Sequence, residues 1–382
     1  MTGYSSSSSI NTMSNNKLIH QPNQTLTPPG VKIGIQMKAL VYHGAGKKAW
    51  EERPKPMILK STDAIVKIVK TTICGTDLHI LKGDVPEVID GRILGHEGVG
   101  IIEEAGSAVT EFKKGDRVLV SCITSCSKCS SCKKGMYSHC ENGGWILGHL
   151  IDGTQAEYVR IPFADTSLYH IPENADEEAL VMLSDILPTG FECGVLNGQI
   201  KPGDTVAIIG AGPIGLATLL TAQFYTPAEI IMVDVDDNRL AVAKQFGATH
   251  TINSSIENAT EQIIGLTENK GVDVAIEAVG IPETFELCQA IITAGGRIAN
   301  VGVHGKVVPL HLETLWSKNI TITTRLVDTV STPMLLKTVT AKKLDAAKLI
   351  THRFALNDII KAYATFENAA EEKALKVILS ND

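Results

Sequence analysis

Four thiols stand within fifteen residues of one another, as Cys126-x2-Cys129-x2-Cys132-x7-Cys140, in a loop rich in Ser, Lys and Gly. Sulfur donors on that spacing can wrap one tetrahedral zinc ion and leave no coordination position for water. Such a site does no chemistry of its own and serves to pin a lobe that lacks a core. The alternatives are a disulfide pair or inert thiols, and clustering in a chain of this size favours metal in a reducing cytoplasm. A second arrangement is Gly210-Ala211-Gly212-Pro213-Ile214-Gly215, which follows the apolar run 205–209, with Asp234 nineteen residues after Gly215. Gly210 permits a tight turn, Gly212 lets a pyrophosphate approach the backbone, and Gly215 lets helix and strand pack closely. A helix opening at Pro213 and Ile214 would present unpaired N–H groups and partial positive charge to the phosphates. Asp234 can accept hydrogen bonds from both adenosine ribose hydroxyls and would repel a 2′-phosphate, so the pattern reads as an NAD site. The alternative is a plain glycine turn beside an exposed aspartate.

These motifs need elements to hold them. Between Met37 and about Ser184 the chain runs in short β-rich phrases broken by Gly and Pro, such as Ala64-Ile65-Val66-Lys67-Ile68-Val69, and the pattern changes near residue 186. Strands are predicted at 205–209, 229–234, 249–253, 272–277, 297–301 and 320–325, with helices opening at Pro213 and Asn238. Strands separated mainly by helices give the βαβ pattern of a doubly wound parallel sheet. The expected fold class is therefore α/β. Residues 37–186 form a β-rich domain carrying the cysteine lobe, 187–328 a dinucleotide-binding Rossmann domain, and the helical, mixed tail 329–382 returns to the first domain. Residues 1–36, with the run Ser5 to Ser9 and the turn Pro28-Pro29-Gly30, are expected to be a disordered leader or tag. They lack the apolar content to offset their ordering entropy.

Composition narrows the ligand. The 382 residues are 44% hydrophobic and 20% charged, and the net charge of −7 is interspersed rather than blocked. That argues against nucleic acid or an anionic membrane as partner. No apolar run reaches membrane-spanning length, and the N-terminus has no apolar secretory segment. A small molecule in the cytoplasm remains.

A dispersed set of donors completes the picture. Cys74-Gly75-Thr76-Asp77-Leu78-His79 and Gly95-His96-Glu97-x2-Gly100-x5-Gly106-x2-Val109 precede the cysteine lobe and the glycine loop. That order and those motifs resemble the zinc-dependent medium-chain alcohol dehydrogenases, over essentially all of residues 37–382. The resemblance implies a GroES-like catalytic domain beside the Rossmann domain, two zinc ions per chain, and zinc-assisted hydride transfer between NAD and small primary or secondary alcohols. It makes Cys74 and His96 ligands of a catalytic zinc. The third ligand falls at Asp185, where many members have cysteine and where bacterial secondary alcohol dehydrogenases have aspartate; a carboxylate is a harder but acceptable zinc donor. Glu97 matches a carboxylate near the metal that enters its coordination sphere in some members, and Asp77 an acid that orients the ligand histidine.

Other roles follow by the same resemblance. Thr76 matches the hydroxyl that hydrogen-bonds the substrate oxygen, and His79 the imidazole at the solvent end of the proton relay. Without the resemblance they would read as a helix N-cap and a surface residue. Thr189, Ile214, Val301 and Val303 fall near the nicotinamide, although the last two read equally as strand core. Arg239 matches a base near the adenosine, and Lys376 one directed toward the pyrophosphate. Cys122, Ile123 and Trp145 match walls of a small apolar substrate pocket with no Arg or Lys for a carboxylate or phosphate. Trp145 alternatively packs as interdomain core. Relatives with these ligands are usually homotetramers. Two rivals stay open: a dehydrogenase of the same architecture acting on polyols, threonine or a formaldehyde adduct, which would need matching buried donors, and a nucleotide-binding relative without catalysis. The complete set Cys74, Thr76, His79, His96 and Asp185 argues against the second.

Overall fold

The computed structural model describes residues 34–381. The leader expected over 1–36 falls almost wholly outside the described residues, and its last member, Gln36, already opens the strand Gln36–Tyr42.

The βαβ region forms a six-stranded sheet in the spatial order His250–Asn253, Glu229–Asp234, Thr205–Ile209, Val272–Glu277, Ile292–Asn300, Thr321–Thr324. All neighbouring pairs are parallel. The central strands, TVAII and EIIMVD, are buried at nearly every position, as strands covered on both faces must be. The strand expected at 297–301 begins instead at Ile292. Its pairing jumps from Val272↔Ile292 to Val274↔Arg297, and Gly295 at φ 76° lets the intervening residues bulge out of the ladder. The helix Pro213–Ala222 starts on a proline, whose missing N–H costs nothing at a helix start, and is buried from Gly215 to Ala222. Buried on all sides, it packs between the sheet and the segment 186–196. The doubly wound order reverses between Thr205–Ile209 and Val272–Glu277, which opens a crevice beyond their carboxyl ends.

The β-rich part is built on the antiparallel pairing of Ala64–Thr72 with Gly98–Ala105, extended by Arg117–Val120 and Leu168–His170. The tail carries helices such as Thr332–Thr340 and Ile359–Glu367, but it is the strands Ile350–Ala355 and Lys376–Ser380 that join this sheet, with Ile378 opposite Thr72. Residues 179–187 knit the two sheets together. Leu180, Leu183 and Leu187 pack in one buried cluster with Val99 and Leu119 on one side and Val206, Ile208 and Leu216 on the other. No helix among the described residues is long and apolar enough to cross a membrane.

Candidate functional site

Cys74 sits where the strand Ala64–Thr72 gives way to the helix Gly75–Lys82, and it caps that helix. Its N–H donates to Asp77 Oδ2 at 2.9 Å, so an acid in the first turn ties the cap residue to the positive end of the helix. His96 and Glu97 lie in the turn before Gly98–Ala105, and Asp185 precedes the short helix Ile186–Thr189. Folding brings one donor atom from each of Cys74, His96, Glu97 and Asp185 within 4.8 Å of the others, although Asp185 is 111 residues from Cys74. Asp185 Oδ2 lies 3.6 Å from Cys74 Sγ and 3.3 Å from His96 Nε2. At the other nitrogen of the ring, Asp77 Oδ1 lies 4.0 Å from His96 Nδ1. Burial pushes the Cys74 thiol up. Burial also works against charge on Asp185, but His96 and the Thr189 hydroxyl outweigh it and hold that carboxyl below the usual range.

One sulfur, one imidazole and two carboxylates are a donor set that suits zinc. Glu97 Oε1 is moreover buried with no hydrogen-bond partner among the described residues, which fits a cation at its side. Lys376 does not reach toward a pyrophosphate. It is 1% exposed, and its Nζ donates to Glu97 Oε2 at 2.6 Å and to the Ile73 carbonyl at 3.3 Å. It opens the last strand, whose pairing with Ala64–Thr72 carries the ammonium in beneath the donors, and a buried cation takes the carboxylate within reach. Thr76 Oγ1 lies 3.7 Å from Cys74 Sγ. His79, further along the same helix, is 44% exposed and pairs through Nδ1 with Asp84 Oδ2 at 2.9 Å. Thr76 and His79 share no direct hydrogen bond among the described residues.

The donor atoms of Cys126, Cys129, Cys132 and Cys140 also lie within 4.8 Å of one another, and all four are free of disulfides. The short helix Ser130–Lys133 and the turn Tyr137–His139 fold the loop back on itself. Burial opposes ionisation of Cys126, yet the Lys128 and Cys129 amides and Asn142 bring its pKa down to about 6. Burial and the neighbouring thiols push Cys132 up to about 12. A divalent cation relieves the repulsion among such crowded sulfurs.

In the glycine loop, Gly210 adopts φ 105°, and a Cβ on Gly215 would overlap the Gly210 carbonyl oxygen, so the chain itself demands both glycines. A Cβ on Gly212 would meet no atom within 4 Å. Nothing in the chain requires that glycine, and the room it leaves suits a phosphate lying against the backbone. Asp234 is 8% exposed; Oδ2 accepts from the Ala211 N–H at 2.6 Å, and Oδ1 from Val235 and Asp236 at 2.8 and 3.0 Å. The expected ribose acceptor is therefore also a clasp between the second strand and the loop. Arg239 is half-buried in the first turn of the helix Asp237–Gln245, which Asp236 caps. Ile214 packs at the edge of the main core. Val303 is 72% exposed beyond the end of its strand, which removes the strand-core reading for it, while Val301 is partly buried.

The loop and the donor cluster are mechanically joined. Thr189 Oγ1 donates to Asp185 Oδ1 at 2.7 Å, and a Cβ on the next residue, Gly190, would lie 2.7 Å from the Thr218 nitrogen on the loop's helix. Against the same donors lies an apolar cluster of Cys122, Ile123, Cys193 and Val327, with Tyr137, Trp145 and Val301 at its margin. Cys122 Sγ is 3.7 Å from Asp185 Oδ1, and Trp145 meets His96 edge-on with ring centres 6.5 Å apart. The three pocket residues named from the sequence are thus together, and Cys193, Val327 and Tyr137 join them unannounced. Cys193 stands four residues after Thr189, a helical spacing that could have signalled it; nothing in the sequence signals Val327. A cavity of about 750 Å³ lies at the margin of this cluster, lined by Met136 and His139 of the cysteine lobe and by Asn300, Val301, Val303 and Arg325.

Comparison with known proteins places this arrangement. The family models of the alcohol dehydrogenase GroES-like domain and of the zinc-binding dehydrogenases match residues 60–173 and 213–341. An alcohol dehydrogenase of Cupriavidus necator is 37% identical over 352 residues, covering 87% of this chain and 95% of its own length. An NADP-dependent isopropanol dehydrogenase of Thermoanaerobacter brockii is 34% identical over 364 residues, covering 90% of this chain and 99% of its own. The solved apo form of zinc-dependent alcohol dehydrogenase 2 from Streptococcus pneumonia superposes with a TM-score of 0.87 at 58% identity, over 91% of this chain and 99% of that one. With the donor clusters, the glycine loop and both sheets accounted for by one architecture, the chain belongs to the zinc-dependent medium-chain alcohol dehydrogenases and is an oxidoreductase.

Proposed function

We propose that this chain interconverts small primary or secondary alcohols with aldehydes or ketones, using NAD, one zinc held by Cys74, His96 and Asp185 with Glu97 alongside, and a second held by the four cysteines. The observation that carries the reading is the convergence of the four dispersed donors beside an apolar wall, with Asp185 heading a segment that packs against the glycine-loop helix. Zinc at such a site supplies Lewis acidity and the dinucleotide a hydride acceptor. The chain's own residues do the rest. Thr76 is placed to hydrogen-bond a substrate hydroxyl beside Cys74 and to pass on its proton, and His79 stands at the exposed end of the same helix to exchange it with water. Asp77 steadies His96 from behind. Cys122, Ile123, Cys193, Val327 and Trp145 keep water from the reacting carbon. Gly210, Gly212, Gly215 and Asp234 hold the dinucleotide, with Thr189, Ile214 and Val301 toward the nicotinamide and Arg239 toward the adenosine.

The preference for NAD rests on the Asp234 charge at the ribose position, which would repel a 2′-phosphate. A second reading, a polyol or another alcohol with a polar tail, is favoured by His139, Asn300 and Arg325 around the outer cavity. Self-assembly into a homotetramer belongs to the same proposal. Val307, Leu312 and Trp316 are 94%, 59% and 78% exposed on the segment leading into the edge strand Thr321–Thr324, an apolar stretch that suits burial against another copy. Eight unpaired cysteines support a reducing, cytoplasmic setting.

A panel of simple alcohols, polyols and threonine, assayed with each dinucleotide by absorbance of its reduced form, tests the reading. Turnover of simple alcohols with NAD is expected. Higher kcat/KM with NADP would overturn the cofactor assignment, and a polyol outpacing every simple alcohol would move the substrate to the second reading.

A further inference from the structure

Three buried polar residues are chain neighbours of three residues of the apolar cluster beside the donors: Ser138 follows Tyr137, Asp328 follows Val327, and Glu192 precedes Cys193. The polar three are bonded into one network. Asp328 Oδ1 accepts from the Ser138 N–H at 2.8 Å and from its hydroxyl at 2.7 Å. Asp328 Oδ2 accepts from Arg325 at 2.8 Å. The Asp328 N–H donates to Glu192 Oε2 at 2.9 Å, and Glu192 Oε1 accepts from the N–H and hydroxyl of Ser331 at 2.8 and 2.7 Å. Glu192 is fully buried and Asp328 4% exposed. Among the described residues no hydrogen bond links this network to either donor cluster or to the glycine loop.

The network joins three parts of the molecule that also meet in the apolar cluster. Ser138 belongs to the cysteine lobe, Asp328 to the crossover after the last Rossmann strand, and Glu192 to Gly190–Leu196, a π-helical turn of a kind often found at functional sites. Apolar packing is non-directional and allows several arrangements of a wall. A fully satisfied buried network allows one, because any shift leaves a desolvated donor or acceptor unpaired.

We infer that Ser138, Asp328 and Glu192 are positioning residues that hold Tyr137, Val327 and Cys193 in register and so set how bulky an alcohol the pocket accepts. The inference rests on the proposed alcohol oxidation. It also gives the closed four-cysteine site a part in selectivity, since the lobe presents Tyr137 and is moored by Ser138.

The test uses the full-length, zinc-loaded enzyme and the variants Asp328→Asn, Asp328→Ala and Ser138→Ala. For each, kcat and KM are measured over linear and branched alcohols of increasing size, with dinucleotide binding, zinc content and thermal unfolding alongside. The ratio of kcat/KM for the bulkiest alcohol to that for the smallest is expected to rise by about fivefold or more in Asp328→Ala and less in Ser138→Ala. The change should lie mainly in KM for the alcohol, with dinucleotide affinity held. Asp328→Asn, which keeps an acceptor for Ser138, should recover much of the selectivity. Unchanged ratios in variants that fold and keep both zincs overturn the inference and leave alcohol oxidation standing. Variants that all lose zinc or cooperative unfolding assign the network to folding alone and overturn it too. A wild type that oxidises no alcohol with either dinucleotide overturns the parent reading and this one with it.

Discussion

In the loop 126–140 four like donors come from one short stretch and two of them stay partly exposed, whereas Cys74, the adjacent His96 and Glu97, and Asp185 are mixed donors drawn from three distant turns and largely buried. The first cluster is surrounded by its own loop and by backbone N–H groups, which lower the pKa of one thiol while crowding raises that of another. The second is surrounded by other side chains: Asp77 behind His96, Thr189 on Asp185, Lys376 on Glu97. Four thiolates saturate a tetrahedral ion, while three protein ligands leave room for a substrate. On the proposed reading, the same metal would be structural at one cluster and reactive at the other, according to how many donors reach it and what orients them.

The contrast can be broken most sharply at His96. His96→Ala is expected to cut kcat by about a thousandfold or more while the protein stays folded, binds the dinucleotide and keeps the cysteine-bound zinc. Full turnover in a metal-analysed His96→Ala preparation would remove the reactive site from this cluster. Lys376→Met asks whether the mixed cluster depends on its buried support. Leaving Glu97 charged and unpaired should cost about 3–5 kcal/mol of stability, read as a lower Tm, and a Tm within a degree or so of wild type would show that the pair is not needed.

Cys140→Ser probes the closed cluster. It should lower yield and Tm and release one zinc of two, with the remaining activity per folded molecule reduced far less than in His96→Ala. Loss of both zincs together would show that the clusters are not independent. Asp234→Asn removes the charge while keeping an oxygen for the backbone clasp, so discrimination against NADP should relax by about tenfold, measured as the ratio of kcat/KM for the two dinucleotides. The smallest effect belongs to His79→Ala, a slowing of about tenfold or less, greatest at low pH and without change in dinucleotide affinity. Superimposable rate–pH profiles would take His79 out of the proton path.

What was legible in the sequence follows the range of the interactions. The cysteine spacing, the glycine loop and the strands Thr205–Ile209, Glu229–Asp234 and Val272–Glu277 could be read directly, because each depends on residues near one another in the chain. Gly215 is required by a carbonyl five residues away, and a buried strand declares itself by its own run of β-branched residues. The dispersed donors Cys74, His96 and Asp185 were readable only through resemblance, and tertiary structure alone brings them within reach of one another.

Tertiary structure also decided what no local pattern encodes. Lys376 turns inward to Glu97 because the last strand returns 279 residues later to the sheet that carries Cys74. Asp234 clasps the glycine loop through backbone groups whose positions depend on how strand and loop pack. Tyr137, Val327 and Cys193 meet because a cysteine lobe, a crossover and an interdomain helix dock on one another, and the polar groups beside them are buried only after that docking. Local patterns are set by backbone geometry over a few residues. Contacts between distant residues are set by which faces the completed sheets and helices bury, and that is settled only when the whole core closes.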